Sequence, residues 1–404
     1  MKKVFNGIKY WGQVLLLPMY GLSFLFPRNK KVWVFGSTFG RRFADNPRYL
    51  YTYLQNNMIT IRPIWITRNK EIYRVLKNCN AEVYMTNSMK GYWFALRGSV
   101  YIYDNYTKDI NFWLSGNALH VNTWHGIPLK KIQMDNKFDL VRHPKNKWAS
   151  FKWSLRRLSD EKASDFVLTT SEFLKSIFSS AFATNNVIIN NYPRVDMLNG
   201  HFKNNIILES EKTICMSMLE NKKCNKKNII YMPTFRESEV KFFDVVDIQR
   251  FLDFLEENNV FFYVKVHPKS KNYYKFNSIK HSSLLVVDKD SDPYTYLGLT
   301  DMLMTDYSSI YFDYLVTNKP IIFFSYDLDT YLNESRELYF PYEEFTPGNH
   351  VTTMEELMKV IEDILIGGKD EYSYERAEIK EKVFKDASSF GCDGVIEDIV
   401  RLLK

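Results

Sequence analysis

Short, mostly apolar runs rich in β-branched and aromatic residues alternate along the chain with longer stretches of helical patterning. In the first half such runs cover residues 32–35, 61–66, 100–103, 120–123 and 166–169. In the second half the series repeats at residues 228–232, 260–266, 284–287, 302–305 and 320–324. Continuous apolar runs separated by helices indicate parallel strands that are covered on both faces.

The two series predict an α/β protein with two Rossmann-like domains, and a chain of 404 residues fits that number. The segments at residues 201–205 and 221–227 are polar and basic, whereas residues 353–404 have a helical pattern with a break at 391–394. We therefore predict an N-terminal domain over residues 31–205 and a C-terminal domain with closing helices over residues 206–404.

The N-terminus has an apolar run at residues 14–26 between basic flanks, with lysines at 2, 3 and 9 and a basic cluster at 28–31. The run is shorter than the ~20 residues that a membrane-spanning helix needs. No small-residue cleavage site follows it, and a strand is predicted at residue 32. We predict that residues 1–30 are an interfacial membrane-associating segment. A helix packed on the fold and an uncleaved signal anchor are the alternatives.

A second basic and aromatic segment lies at residues 142–158. Its cations are accompanied by no acidic residue, and its large apolar side chains recur at helical spacing. This pattern predicts a helix on an anionic membrane surface; the alternative is an apolar stripe that packs on the domain. The cations are Arg142, Lys145, Lys147, Lys152, Arg156 and Arg157, and the apolar residues are Trp148, Phe151, Leu155 and Leu158.

The composition is that of a globular protein, with 45% hydrophobic and 25% charged residues. The net charge of +7 favours anionic partners but does not indicate nucleic acid. The four cysteines have neither disulfide-framework nor zinc-site spacing, so we expect reduced thiols and a cytoplasmic location; they are Cys79, Cys215, Cys224 and Cys392.

Polar motifs follow several of the predicted strands. In an open parallel sheet, ligands bind outside the carboxyl ends of the strands, so these motifs should converge on one crevice. His125 lies in a turn that Gly126 permits, and a histidine with a pKa near 6.5 can accept a proton from an attacking hydroxyl. The alternative for His125 is a histidine packed on Trp124.

The second series carries groups suited to phosphate. Arg236 and His267 follow two strands, and Lys265 lies beside His267. At residues 305–309, TDYSS leads into a helix predicted to begin at about residue 308, where free backbone N–H groups would form an anion site. The alternative is simple N-capping by Ser308 or Ser309.

Two further features bear on the chemistry. Asp313, one helical turn further along, either faces the site or solvates the helix. The sequence has neither an H-E-x-x-H motif nor a P-loop lysine motif, and we predict a reaction that needs neither metal nor cofactor.

Together these motifs resemble the CDP-glycerol glycerophosphotransferase family, the teichoic acid primases and polymerases. The matching segments are WHGIPLK at residues 124–130, NYPRVD at 191–196, PTFR at 233–236, HP at 267–268, TDYSS at 305–309 and KP at 319–320. The resemblance implies a GT-B-like pair of domains, with the acceptor and membrane on the side of the first and CDP-glycerol in the second. It implies catalytic roles for His125, His267 and Arg236, with His125 as the base. It also implies donor binding by Pro233, Thr234, Lys265, Thr305, Asp306, Ser308, Ser309 and Asp313.

The activity so implied moves glycerol phosphate from CDP-glycerol to a lipid-linked saccharide of the undecaprenyl diphosphate type and releases CMP. The enzyme would act as a peripheral protein on the cytoplasmic face of the cell membrane. A CDP-ribitol ribitolphosphotransferase would have nearly the same motifs. A GT-B nucleotide-sugar glycosyltransferase, which would release a nucleoside diphosphate, and a non-enzymatic scaffold are the more distant alternatives.

Overall fold

The computed structural model describes residues 10–57, 60–154, 158–159, 164–202, 206–235, 242–267, 270, 272–328, 331, 337–386 and 389–404. These residues form two parallel sheets covered by helices, which confirms the predicted α/β class. The strands are β1 Asn29–Phe35, β2 Arg62–Thr67, β3 Val83–Met85, β4 Gly98–Tyr103, β5 Leu119–Asn122, β6 Phe166–Thr169, β7 Val187–Ile189, β8 Lys227–Tyr231, β9 Val260–Val264, β10 Leu284–Val286, β11 Met302–Thr305, β12 Ile321–Phe324 and β13 Asn349–Val351.

Strand order explains where a ligand site should lie. The first sheet runs β3-β2-β1-β4-β5-β6-β7 and the second runs β10-β9-β8-β11-β12-β13. In both sheets the order reverses at the first strand, between β1 and β4 and between β8 and β11. Doubly wound folds bind ligands at such switch points, beyond the carboxyl ends of the strands. Every residue of the central strands β4, β11 and β12 is buried, as expected for strands covered on both faces.

Helices connect the strands and cover both sheets. Several begin with a side-chain cap: Ser88 accepts a hydrogen bond from the N–H of Gly91, and Thr353 forms a capping box with Glu356. The α-helices in the described residues are α1 Leu17–Ser23, α2 Asp45–Asn57, α3 Lys70–Asn78, α4 Met89–Arg97, α5 Lys147–Lys152, α6 Glu172–Phe182, α7 Val195–Leu198, α8 Glu209–Lys223, α9 Phe242–Val245, α10 Ile248–Glu257, α11 Asn272–Ser278, α12 Tyr294–Leu297, α13 Ile310–Tyr314, α14 Tyr342–Phe345, α15 Met354–Ile361, α16 Ser373–Val383 and α17 Gly391–Leu402.

The two halves share one apolar core. The largest buried cluster includes Trp33 of the first sheet, Leu303 of the second and Val395 of α17. A buried ion pair also joins them, since Arg48 of α2 donates two hydrogen bonds of 2.8 Å to the Glu211 carboxylate of α8. The halves are therefore held together by both apolar packing and buried charge.

The last helices return to the first half of the chain. The N–H groups of Gly391 and Cys392 donate to the Asp196 carboxylate at 2.8 and 2.9 Å. The carbonyl of Thr170 accepts a hydrogen bond of 2.6 Å from the N–H of Lys385. The boundaries at residues 30 and 205 stay a prediction, but α17 packs on α2 and α7 rather than on the second sheet.

The N-terminal segment is partly packed and partly exposed. Tyr20 stacks on Phe112 with ring centroids 4.6 Å apart, and Arg28 donates to the carbonyls of Ala95 and Leu114. On the other side Leu15 is 82% exposed. No helix in the described residues is long and apolar enough to cross a bilayer.

The predicted basic helix is present in part. α5 covers Lys147–Lys152, residues 158–159 are again helical, and Trp148 and Phe151 of α5 are 72% and 56% exposed. Arg142 does not share that surface; it is buried beside Asp139. Leu155, Arg156 and Arg157, which the prediction also used, lie outside the described residues.

Candidate functional site

A cavity of about 480 Å³ lies between the two halves, at the carboxyl ends of β1, β4, β8 and β11. Its volume is in the range of small-molecule sites. Thr38 and Asp104 enter it from the first half, and Thr234 and Ser309 from the second. The cavity therefore occupies the position that the two switch points predict.

The loop after β5 presents His125 to this cavity. The Nδ1 atom of His125 lies 3.0 Å from the backbone carbonyl of Asp104. A carbonyl only accepts, so Nδ1 carries the proton, and in the neutral ring Nε2 is the basic nitrogen. The imidazole also contacts Trp124, with ring centroids 3.8 Å apart. His125 is therefore packed on Trp124, as the alternative interpretation expected, but it remains exposed.

Two groups fix the position of this loop. The amide of Asn46, at the start of α2, donates to the carbonyls of Thr123 and Trp124 at 3.0 and 2.9 Å. Gly126 has φ +133°, and a Cβ there would lie 2.7 Å from Nη2 of Arg194. Only glycine fits, because both the backbone conformation and the neighbouring guanidinium exclude a side chain.

Arg194 spans the floor of the cavity and is almost completely buried. It pairs with Asp45 of α2 at 2.9 Å, and its Nη2 lies 2.5 Å from the Asp313 carboxylate of α13. Tyr294 also donates to Asp313 at 2.5 Å. Burial raises the pKa of Asp313, and Arg194 opposes that rise. Arg194 thus links the two halves beneath the loop after β5.

The second half supplies cations and hydroxyl groups. Lys265 donates to the carbonyls of Asp288 and Lys289 at 3.2 and 3.4 Å. Desolvation, together with the nearby Arg42 guanidinium, lowers the pKa of Lys265 to about 7. His267 is exposed and contacts Phe235, with ring centroids 4.9 Å apart and the two rings tilted by 45°.

The predicted donor residues fall into two groups. Those that line the cavity are Pro233, Thr234, Lys265, His267, Ser308 and Ser309. Thr305 and Asp306 lie behind the wall: Thr305 donates to the carbonyl of Met232 at 2.8 Å, and Asp306 accepts from the N–H of Thr234 at 2.8 Å. Asp313 likewise lies behind Arg194 and does not line the cavity. Arg236 lies outside the described residues.

The structure differs from the sequence prediction at the expected anion site. The helix begins at Ile310, not at about residue 308, and α13 has only five residues, so its dipole is weak. Apart from Lys265, the lysines and arginines of the cavity are side chains that the sequence analysis did not assign to it. Its lysines and arginines are Arg42, Lys130, Arg194, Lys265 and Lys289, and its aspartates are Asp45, Asp104 and Asp292.

Among the described residues, no group of three or more His, Cys, Asp or Glu side chains could hold a metal ion. The predicted metal-independent reaction is tested by adding a chelator. The four cysteines are free, as expected.

Comparison with known proteins adds an independent observation. A model of the family described as CDP-Glycerol:Poly(glycerophosphate) glycerophosphotransferase matches residues 18–397. The teichoic acid poly(glycerol phosphate) polymerase of Bacillus spizizenii is 27% identical over 364 residues, which cover 86% of this chain and 88% of that protein. The teichoic acid glycerol-phosphate transferase of Staphylococcus aureus is 30% identical over 350 residues, which cover 83% and 84%.

A solved structure supports the fold. The wall teichoic acid polymerase TagF superimposes with a TM-score of 0.71 at 24% identity, and the match covers 100% of this chain and 98% of that chain. At this level of identity the likeness concerns the fold alone.

Proposed function

Because the chain belongs to the CDP-glycerol:poly(glycerophosphate) glycerophosphotransferase family, it is a glycerophosphotransferase, and we propose that it transfers glycerol phosphate from CDP-glycerol to a hydroxyl group of a lipid-linked saccharide. The observation that carries this proposal is the placement of His125. His125, whose Nδ1 is held by the Asp104 carbonyl, lines the same cavity as Lys265, His267 and Ser309. A TagF variant has been soaked with CDPG, which supports the donor.

The reaction needs a base and charge neutralisation. His125 Nε2 accepts the proton of the acceptor hydroxyl, and the hydroxyl oxygen forms a bond to the β-phosphorus of CDP-glycerol. The bond between that phosphorus and the bridging oxygen breaks, and CMP leaves with the bonding electrons. CMP is a phosphate monoester with a second pKa of about 6, so the leaving oxygen needs little protonation.

We assign the donor diphosphate to the cationic wall. Lys265 and His267 supply charge, and Thr234, Ser308 and Ser309 supply hydroxyl groups. Arg236 joins this set in the proposal through its place in the PTFR motif. A metal-free site predicts that a chelator leaves CMP release unchanged, and recovery by a divalent ion after loss would contradict it.

Thr305, Asp306 and Asp313 have a different role in this scheme. Thr305 and Asp306 hold the end of β8 through Met232 and Thr234. Asp313 holds Arg194. We therefore assign them to positioning the donor site, within a GT-B-like arrangement of residues 31–205 and 206–404.

The protein acts, in this proposal, as a peripheral protein at the cytoplasmic face of the membrane. Trp11 of the N-terminal segment stacks on Phe151 of α5 with ring centroids 5.1 Å apart. The two segments thus form one exposed surface, here called the aromatic surface, consisting of Trp11, Leu15, Trp148 and Phe151. Aromatic side chains flanked by lysines are typical of proteins that lie in a membrane interface.

The test is a donor comparison. Purified protein is incubated with a lipid-linked disaccharide and with CDP-glycerol, CDP-ribitol or a nucleotide sugar, and released nucleotides are separated. We expect CMP from CDP-glycerol. CMP from CDP-ribitol alone would establish the ribitol alternative, and a nucleoside diphosphate from the sugar donor would establish a glycosyltransferase.

A further inference from the structure

A second cavity adjoins the main one within the first half of the chain. Its volume is about 140 Å³, well above the ~10–15 Å³ that one water molecule requires. Tyr103, the last residue of β4, and Asn122, the last of β5, line it, so it lies at the same edge of the first sheet. Asn105 lines both cavities and forms the wall between them.

The lining of this second cavity suits a hydroxyl-bearing, phosphate-containing ligand. No carboxylate is among its described lining residues, and most of its polar groups are hydroxyls and amides. Such groups recognise sugars and polyols through hydrogen bonds. Those that the argument uses are Thr107, Asn122, Gln133, Ser159 and Ser164.

Arg142 provides the cation. Its side chain is only 6% exposed; Nη1 contacts Asp139, and Nη2 is 3.2 Å from the hydroxyl oxygen of Tyr106. A guanidinium has five N–H donors in a plane, more than these two partners use, and its geometry matches phosphate oxygens. A buried arginine at the wall of a polar cavity is therefore suited to a phosphate group.

The second cavity is also placed correctly with respect to the base. Asn105 follows Asp104, whose carbonyl accepts the Nδ1 hydrogen bond of His125. Asn122 fixes this turn, because its amide donates to the carbonyl of Asn105 at 3.2 Å. A group seated against Asn105 thus borders the region where His125 would remove a proton.

We propose that the second cavity binds the end of the acceptor, with its terminal hydroxyl-bearing unit among the hydroxyls and amides and the nearest acceptor phosphate on Arg142. This inference rests on the proposed function and extends it to the second substrate. Ser159 in the cavity wall follows the exposed Leu158, close in the chain to α5 and the aromatic surface. A lipid-linked acceptor held at the membrane would enter from that side.

The test compares Arg142→Ala with Arg62→Ala. Arg62 is the control in the first half of the chain. Arg142 pairs with Asp139 and lies over the Tyr106 ring, and Arg62, although more exposed, likewise pairs with Glu82 and lies over the Phe94 ring. The acceptor is a short-chain diphosphate-linked disaccharide that ends in glycerol phosphate. KM for acceptor and donor, and the thermal unfolding temperature, are measured for each variant.

We expect Arg142→Ala to raise KM for the acceptor about 10- to 100-fold, the effect of losing hydrogen bonds to a charged group, while KM for CDP-glycerol changes less than about twofold. Arg62→Ala should leave both constants unchanged. If Arg142→Ala does not fold, Gln133→Ala should still raise the acceptor KM. An unchanged acceptor KM in the folded variants would overturn the proposal.

A second measurement separates this proposal from the proposed function. Binding of sn-glycerol 3-phosphate to the wild type and to Arg142→Ala is measured by calorimetry in the absence of donor. Weaker binding by the variant supports the cavity assignment even if no CMP is released from CDP-glycerol, whereas equal binding contradicts it. If only CMP release by the wild type fails, the result contradicts the proposed function and leaves the cavity assignment standing.

Discussion

In the proposed reaction, His125 is the residue on which the chemistry depends most. Its Nδ1 is occupied by the Asp104 carbonyl, so removal of the ring removes the basic nitrogen without exposing a core. We expect His125→Ala to lower kcat by 10²–10⁴-fold, the usual cost of losing a general base, with donor affinity retained. His281→Ala, which alters a histidine paired with Asp253 in the second half, is the control and should be fully active. If His125→Ala releases CMP at more than about a tenth of the wild-type rate, His125 is not the general base.

Lys265 makes a prediction about pH. Its pKa of about 7 means that it loses its proton near neutrality, and a neutral amine attracts a diphosphate less. Affinity for CDP-glycerol should therefore fall by up to about tenfold per pH unit above pH 7. Lys265→Arg, which keeps its charge, should flatten this dependence in calorimetric titrations without acceptor. If the affinity of Lys265→Arg for CDP-glycerol falls equally steeply with pH, the group that titrates is not Lys265.

The same pKa has a consequence for stability. An unfolded lysine has a pKa of about 10.5, so between about pH 7 and 10.5 the unfolded chain binds more protons at this position than the folded protein does. This residue's contribution to the free energy of unfolding therefore increases with pH across that window.

At the scale of elements, the loop after β5 depends on Gly126. A methyl group there would lie 2.7 Å from Nη2 of Arg194, so Gly126→Ala should displace both Arg194 and His125. Gly200 is a matched control, because it has φ +72° but nothing within 4 Å of its Cβ position. Both substitutions should destabilise by about 1–2 kcal/mol through the backbone. Only Gly126→Ala should reduce CMP release, by more than about tenfold. Equal activity of the two variants would show that the loop tolerates the shift.

Elements also show what a sequence can and cannot predict. The long buried strands were predicted to within a few residues, and Phe166–Thr169 and Met302–Thr305 were predicted to the residue. Three short edge strands, β3, β7 and β13, were missed, whereas β10, which is equally short, was predicted from its continuous apolar run. The site was predicted where motifs follow strands, as at His125. The NYPRVD motif contains Arg194, but the sequence did not indicate a role for this residue. Its partners Asp45 and Asp313 come from distant segments that only folding brings together.

At the scale of the whole molecule, the proposed location at the membrane depends on the aromatic surface. Trp148→Ser combined with Phe151→Ser removes two exposed rings that contact each other, and Phe151 also stacks on Trp11. We expect this double variant to release from anionic liposomes in a sedimentation assay and to keep its activity on a soluble acceptor. Tyr374→Ser, an exposed ring in the second half, is the control. Unchanged liposome binding by the double variant would exclude this surface from membrane contact.

The central claim is that an acceptor hydroxyl attacks the β-phosphorus of CDP-glycerol with His125 as base. CDP-glycerol carrying ¹³C in its glycerol is incubated with the soluble acceptor, and both products are identified by mass spectrometry. The account predicts labelled glycerol phosphate on the acceptor, one CMP released for each unit transferred, and formation of both products at least about 100-fold slower with His125→Ala. Labelled glycerol phosphate released free in solution, together with cytidylylated acceptor, would contradict it.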